Sequence, residues 1–173
     1  AGFRPDYATS VYSNILKNLY PNIPVIIGGI EASLRRFGHY DYWSDKLKNS
    51  ILLDSKADIL VYGMAEKTMA ELAHKFNDKA SLQEILNTPQ IAYLSAVKPV
   101  DIELSSFEEC LKDKRKQAVN FKLVEEESNK YQSTQTIGQR LGKNMVIMNS
   151  EKPGLIKKMP FALHSMHLKR LIH

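Results

Sequence analysis

Two short apolar runs, each closed by glycine, constrain this chain more than any other feature. Pro24-Val-Ile-Ile-Gly-Gly29 and Ala57-Asp-Ile-Leu-Val-Tyr-Gly63 are rich in β-branched residues and too short to be helices. Neither run alternates apolar with polar residues, so both read as strands buried on two faces, as in a parallel sheet. About thirty residues separate their starts and a helical pattern follows each, the spacing of a βαβ unit with a right-handed crossover. The fold class read from this is α/β. It is an open, mostly parallel sheet flanked by helices, Rossmann-like, with a helical and irregular C-terminal extension. Residues 1–100 form the core, 101–150 pack on it, and 151–173 make a basic tail expected to be weakly ordered.

The remaining pattern fills in around these strands. Pro5 suits the first turn of a helix ending before Pro21, with Val11, Tyr12, Ile15, Leu16 and Leu19 on one stripe. Ser44 or Asp45 is expected to cap a short helix running to Asp54, with Leu47 and Ile51 inward. A helix after Met64-Ala-Glu66 carries Met69, Leu72, Ala73 and Phe76 on one face. Ser81 with Glu84 and Ser106 with Glu109 fit capping boxes. Ile91–Val97 reads as a third strand, placed at an edge by Pro99. The helix opened by Ser106 carries Phe107, Cys110, Leu111, Ala118 and Phe121. Glu125–Thr136 reads as polar loop, and Met145–Met148 as a late strand.

Charge matters here through its distribution. The formal net charge is +5, but residues 1–100 hold eleven Lys+Arg against ten Asp+Glu, and residues 101–150 hold eight of each. Residues 151–173 hold five basic residues and one acidic. The excess belongs to the tail, so the folded part is not expected to bind nucleic acid; tail charge is the only support for an RNA-contacting role. No apolar run approaches the eighteen or so residues of a membrane span, and a cytoplasmic location is expected. The single cysteine, Cys110, cannot form an internal disulfide, a CxxC zinc knuckle or a three-cysteine iron–sulfur site. It reads as a small apolar helix residue in a reducing compartment. His164 and His167 have helical chelating spacing but no carboxylate nearby, so no metal site is assigned.

The candidate site lies at the carboxyl ends of the two strands, where open α/β sheets bind ligands. It comprises Gly28, Gly29, Glu31, Ser33, Arg35, Arg36, His39, Asp41, Trp43, Gly63 and Glu66. Arg35 and Arg36 could clamp a phosphate, or pair with Asp41 or Asp45. Tyr40, Tyr42 and Trp43 could stack on a planar ring, or pack half-buried. No GxxxxGK[ST], GxSxG, HExxH or GxGxxG occurs. No catalytic set is recognisable from chemistry alone.

Three blocks carry a resemblance. They are Arg4-Pro-Asp6, then Ile26-Ile-Gly-Gly-Ile-Glu-Ala-Ser-Leu-Arg-Arg-Phe-Gly-His-Tyr-Asp-Tyr-Trp-Ser-Asp-Lys46, then Ser50-Ile-Leu-Leu-Asp-Ser-Lys-Ala-Asp-Ile-Leu-Val-Tyr-Gly-Met-Ala-Glu66. Together they resemble the N-terminal region of the YgiQ-type radical SAM proteins, densely over residues 4–76 and more loosely to Asn149. The resemblance implies a cobalamin-binding-type α/β domain followed by a radical SAM barrel in the same polypeptide. That barrel would hold a [4Fe–4S] cluster on CxxxCxxC and cleave S-adenosylmethionine to a 5′-deoxyadenosyl radical. The substrate is not implied. This chain contains neither CxxxCxxC nor the DxHxxG of cobalamin domains, and Ser150–His173 departs from the family pattern. A truncated or frame-shifted reading frame, or a cut fragment, would account for both. The chain itself is then expected to hold no cofactor and to be a catalytically incomplete accessory domain whose glycine edge faces the barrel. The alternative is a stand-alone module for a nucleotide or cobalamin-like ligand.

Overall fold

A computed structural model describes residues 5–130 and 133–150 of the chain. The tail, with its basic cluster and its His164/His167 pair, lies outside these residues. Helix α1 spans Ala8–Leu19 and strand β1 Ile26–Ile27, followed by α2 at Gly29–Leu34. A separate hairpin, β2 (His39–Asp41) with β3 (Lys46–Lys48), precedes α3 (Ile51–Ser55), β4 (Ile59–Val61), α4 (Glu66–Asn77) and α5 (Leu82–Leu86). Then come β5 (Ile91–Ala96), β6 (Ile102–Leu104), α6 (Phe107–Lys112), α7 (Lys114–Ser128), β7 (Thr136–Leu141) and β8 (Asn144–Asn149).

Six strands form one open sheet in the order β1-β4-β5-β8-β7-β6, covered by helices on both faces. The α/β architecture is the one read from the sequence. β1 and β4 pair in parallel, Ile26 opposite Ile59 and Ile27 opposite Leu60, so their glycine exits share one end of the sheet as expected. β6 and β7 are also parallel, while β4–β5, β5–β8 and β8–β7 are antiparallel, so the sheet is mixed. An apolar run reports two-sided burial but not strand direction, which is why the third strand's antiparallel sense was invisible. β5 is not at an edge: β4 and β8 flank it, and Pro99 lies beyond its last residue. Residues 101–150 contribute β6, β7 and β8 to this one sheet.

One face is built from Ile27, Ala32, Ile51, Leu52, Leu60 and Val146 with α2, α3 and α6. The other is built from Ile59, Val61, Leu72, Ile85 and Ile147 with α4 and α5. Both capping boxes are formed, Ser81 with Glu84 and Ser106 with Glu109. Leu72 is buried as the periodicity of α4 requires, whereas Met69 is exposed.

Four local expectations are corrected. Ser44 and Asp45 do not cap a helix. They form the tip of the β2–β3 hairpin, where Asp45 takes a φ of 50°, and Ser50 caps α3 by accepting from the Leu52 N–H. The helix from Ser106 breaks at Asp113, whose extended backbone and side chain start α7, and α7 runs on to Ser128 through residues read as loop. β7 and the Gly142-Lys143 turn to β8 were missed. Gly142 has the positive φ that a two-residue hairpin requires at its first turn position. Finally, the apolar stripe of α1 turns outward. The helix docks through its polar stripe: Ser13 is buried, the Asn14 amide donates to the Asp54 carbonyl at 2.7 Å, and Lys17 reaches Asp58 at 2.7 Å.

Candidate functional site

The glycines at the sheet edge have separate reasons to be glycine. A Cβ on Gly28 would lie 3.2 Å from the Val61 carbonyl, so β4 passes too closely for a side chain. Gly29 and Gly63 take φ of 84° and 69°, which turn the chain off each strand. α2 is a six-residue helix whose Glu31 is engaged on both oxygens: Thr9 donates to one and Arg35 to the other.

Arg35 and Arg36 diverge and do not form a clamp. Arg36 turns inward, its guanidinium 5.1 Å from the Tyr62 ring centre, donating to the Ser33 carbonyl and lying 3.1 Å from the Met148 sulfur. Burial lowers its pKa from the ordinary value. Arg35 turns to the hairpin, 5.4 Å over the Tyr7 ring and 4.0 Å from Asp41.

Asp41 is the hub of that side. Its buried carboxylate accepts from Ser44 at 2.6 Å and Tyr7 at 3.2 Å, and pairs with Lys48 at 3.1 Å. The Lys48 ammonium also donates to the Tyr7 hydroxyl at 2.7 Å. The hydrogen bond from Ser44, then those from Lys48 and Tyr7, hold Asp41 well below the usual carboxylate range. The hydrogen bond to Tyr7, then that to Asp41, raise Lys48 above its ordinary value. The signs define a window. The lowered Asp41 contributes stability above its ordinary pKa of 3.8, lost as pH falls below it. The raised Lys48 contributes below its ordinary 10.5, lost as pH rises above it. Trp43, the only tryptophan, sits at the hairpin tip and reports its integrity by fluorescence. Asp41→Asn is expected to flatten the acid limb of a Trp43-monitored pH titration; an unchanged limb would refute the hub.

The network borders a cavity of about 230 Å³ lined by Tyr7, Ser10, Arg35, His39, Lys48 and Asp54, with Ile51. His39 Nδ1 lies 3.3 Å from the Phe37 carbonyl, which can only accept, so Nδ1 bears the proton. Nε2 is then a bare acceptor, buried and without a partner among the described residues. Burial lowers the His39 pKa, with the Arg35 charge adding to it, so the ring is neutral near pH 7.

Of the sequence-derived candidates, Glu31, Arg35, His39 and Asp41 therefore meet in one place. Ser33 serves Arg36, Gly28, Gly29 and Gly63 shape the edge, and Glu66 lies exposed in the first turn of α4. Trp43 stands 86% exposed, edge-on to Tyr42 at 5.8 Å, neither half-buried nor stacked on the sheet. With Ile30 (81%), Leu34 and Met64 (83%) it belongs to a set of exposed apolar side chains on the segments that leave β1 and β4. Sequence reasoning missed Tyr7, Ser10, Lys48 and Asp54 as partners, because no local spacing ties α1 to the hairpin.

Cys110 is buried on α6 between the Asn120 amide and the Ser105 carbonyl, and burial raises its pKa. One such thiol does not fit a [4Fe–4S] cluster. Among the described residues no group of three or more His, Cys, Asp or Glu could hold a metal ion, and no helix is long and apolar enough to cross a membrane.

Comparison with known proteins places this site in context. The chain is 46% identical to a UPF0313 protein of Bacteroides thetaiotaomicron over 98% of its own length and 30% of the relative's. It is 47% identical to a UPF0313 protein of Porphyromonas gingivalis over 87% of the chain and 24% of that protein. A UPF0313 protein of Thermotoga maritima is 38% identical over 99% of the chain and 30% of its own length. The chain thus spans under a third of these relatives. No solved structure matches it. The Radical SAM N-terminal family matches residues 1–173 in full, and the chain belongs to that family.

Proposed function

We propose that these residues form an accessory domain of a radical SAM enzyme and present the carboxyl end of β1 and β4, with the hairpin tip, to the rest of the polypeptide. The observation that carries the reading is the pairing of one buried, hydrogen-bonded cysteine with a large exposed apolar set at that end. The cysteine cannot supply cluster chemistry, and the exposed set suits contact with protein. The relatives, about three times as long as the span they share with this chain, provide the room for a cluster-bearing barrel. A bound cluster would supply S-adenosylmethionine cleavage there; within this chain Arg35, Asp41, Tyr7 and Lys48 hold the hairpin in position. Anaerobic reconstitution with iron and sulfide is expected to load the full-length Bacteroides relative and leave the 173-residue chain without cluster absorbance. A stoichiometric [4Fe–4S] spectrum on the short chain would overturn the proposal.

One observation favours a second reading, a ligand-binding module: the buried, unpartnered His39 Nε2 on a cavity that also presents Arg35 and Lys48. Calorimetry against S-adenosylmethionine, nucleotides and cobalamin separates the two. Saturable heat abolished by His39→Phe supports the module, and no heat with any of them removes it.

A further inference from the structure

Helix α1 is amphipathic in the reverse sense for a surface helix. Its polar stripe docks on the domain, while Val11, Tyr12, Ile15, Leu16 and Leu19 face outward, 39–65% exposed. Such a stripe normally covers a sheet. β1, the strand that α1 leads into, is also incomplete. It pairs only with β4 among the described residues, and its two isoleucines lack the charges that native edge strands use against unwanted pairing.

Handedness relates the two features. The connection from β1 to its parallel neighbour β4 ends in α3, whose Ile51 and Leu52 pack on the same face of the sheet as Ile27 and Leu60. α1 packs on α3 and bonds to its Asp54, so it lies on that same side of the sheet. Parallel crossovers are right-handed, so two successive helices on one face step across the sheet in one direction. A strand that fed α1 through such a crossover would lie one step back from β1, on the side away from β4. That side is the free edge, and it is where the outward stripe of α1 needs cover.

We infer that a further β-strand of the same polypeptide, outside these 173 residues, pairs in parallel with the free edge of β1 and lies under the apolar stripe of α1. The relatives carry about 70% of their length outside the matched span, ample for one more βα unit. The surface is distinct from the apolar set at the carboxyl end of the strands, so its fate is separable from the accessory-domain reading.

Hydrogen exchange on the full-length Bacteroides relative tests it. The Val25 carbonyl accepts from Asp58, so strand alternation aims the Ile26 N–H away from β4. The amide matching Ile26 is expected to exchange at least about 100-fold more slowly than an unprotected amide. In the 173-residue chain the Ile26 amide is expected to exchange freely. Free exchange in the full-length protein, or protection in the short chain, overturns the inference. As an independent arm, glutamate at the positions matching Ile15 and Leu19 is expected to lower the full-length melting temperature, while glutamate at the position matching exposed Leu82 does not. No difference between them overturns the inference. So does a full-length dimer that the α1 substitutions convert to a monomer with the Ile26 amide unprotected, since a second copy would then be the occupant.

Discussion

Gln139→Ala is expected to cost about 3 kcal/mol and to loosen the β2–β3 hairpin. Gln139 lies on β7 and is fully buried. Its Oε1 accepts from the Gly38 N–H at 2.7 Å and its Nε2 donates to the Ser105 carbonyl at 3.2 Å. Ser105 also receives the Asn120 amide at 2.8 Å, so it keeps a partner after truncation. Gly38 N–H does not. An orphaned buried donor costs about 1–3 kcal/mol, and the vacated space adds a cavity term of order 1 kcal/mol. At about 2–4 °C per kcal/mol the melting temperature should fall by roughly 6–12 °C. Calorimetry gives the stability and Trp43 anisotropy the hairpin's mobility. A loss below about 1 kcal/mol would mean that water substitutes for the side chain.

Leu60→Ala is expected to cost about 3–5 kcal/mol, with no such effect from Leu60→Met. Leu60 is fully buried on β4, opposite Ile27, in the cluster that includes Ala32, Ile51 and Leu52. Those residues belong to β1, α2 and α3, which frame the candidate site. A cavity there is expected to melt the protein roughly 6–20 °C earlier in calorimetry. The methionine variant keeps volume and apolar character and should stay within about 1.5 kcal/mol of the parent. Equal losses for both would show that shape, not burial, sets the site.

What could be read beforehand was local. The two capping boxes need residues three apart, and both formed as read. The apolar runs before Gly28 and Gly63 needed only their own composition, and their parallel pairing followed from spacing. What escaped needed partners distant in sequence. Periodicity assigned α1 a stripe but not the side it faces, because the choice depends on Asp54 and Asp58 meeting Asn14 and Lys17. Ser44 and Asp45 resemble helix caps in isolation; pairing of His39 with Lys48 makes them a turn. Arg35 and Arg36 read either as one clamp or as ion-pair partners; Arg35 reaches Asp41, while Tyr62 and Met148 draw Arg36 away from it. His39, Arg35 and Asp41 were identifiable by type; Tyr7 and Lys48 join them only because α1 begins against the hairpin.

The strand order has a consequence for biosynthesis. β8, the last strand in the described chain, sits in the middle of the sheet between β5 and β7. Until residues 144–149 leave the ribosome, β1-β4-β5 and β6-β7 are two unjoined ribbons with open inner edges. Such edges are templates for mispairing during synthesis. A nascent chain stalled before Asn144 would therefore expose both ribbons to quality control, and addition of one hairpin arm would close the sheet in a single late step.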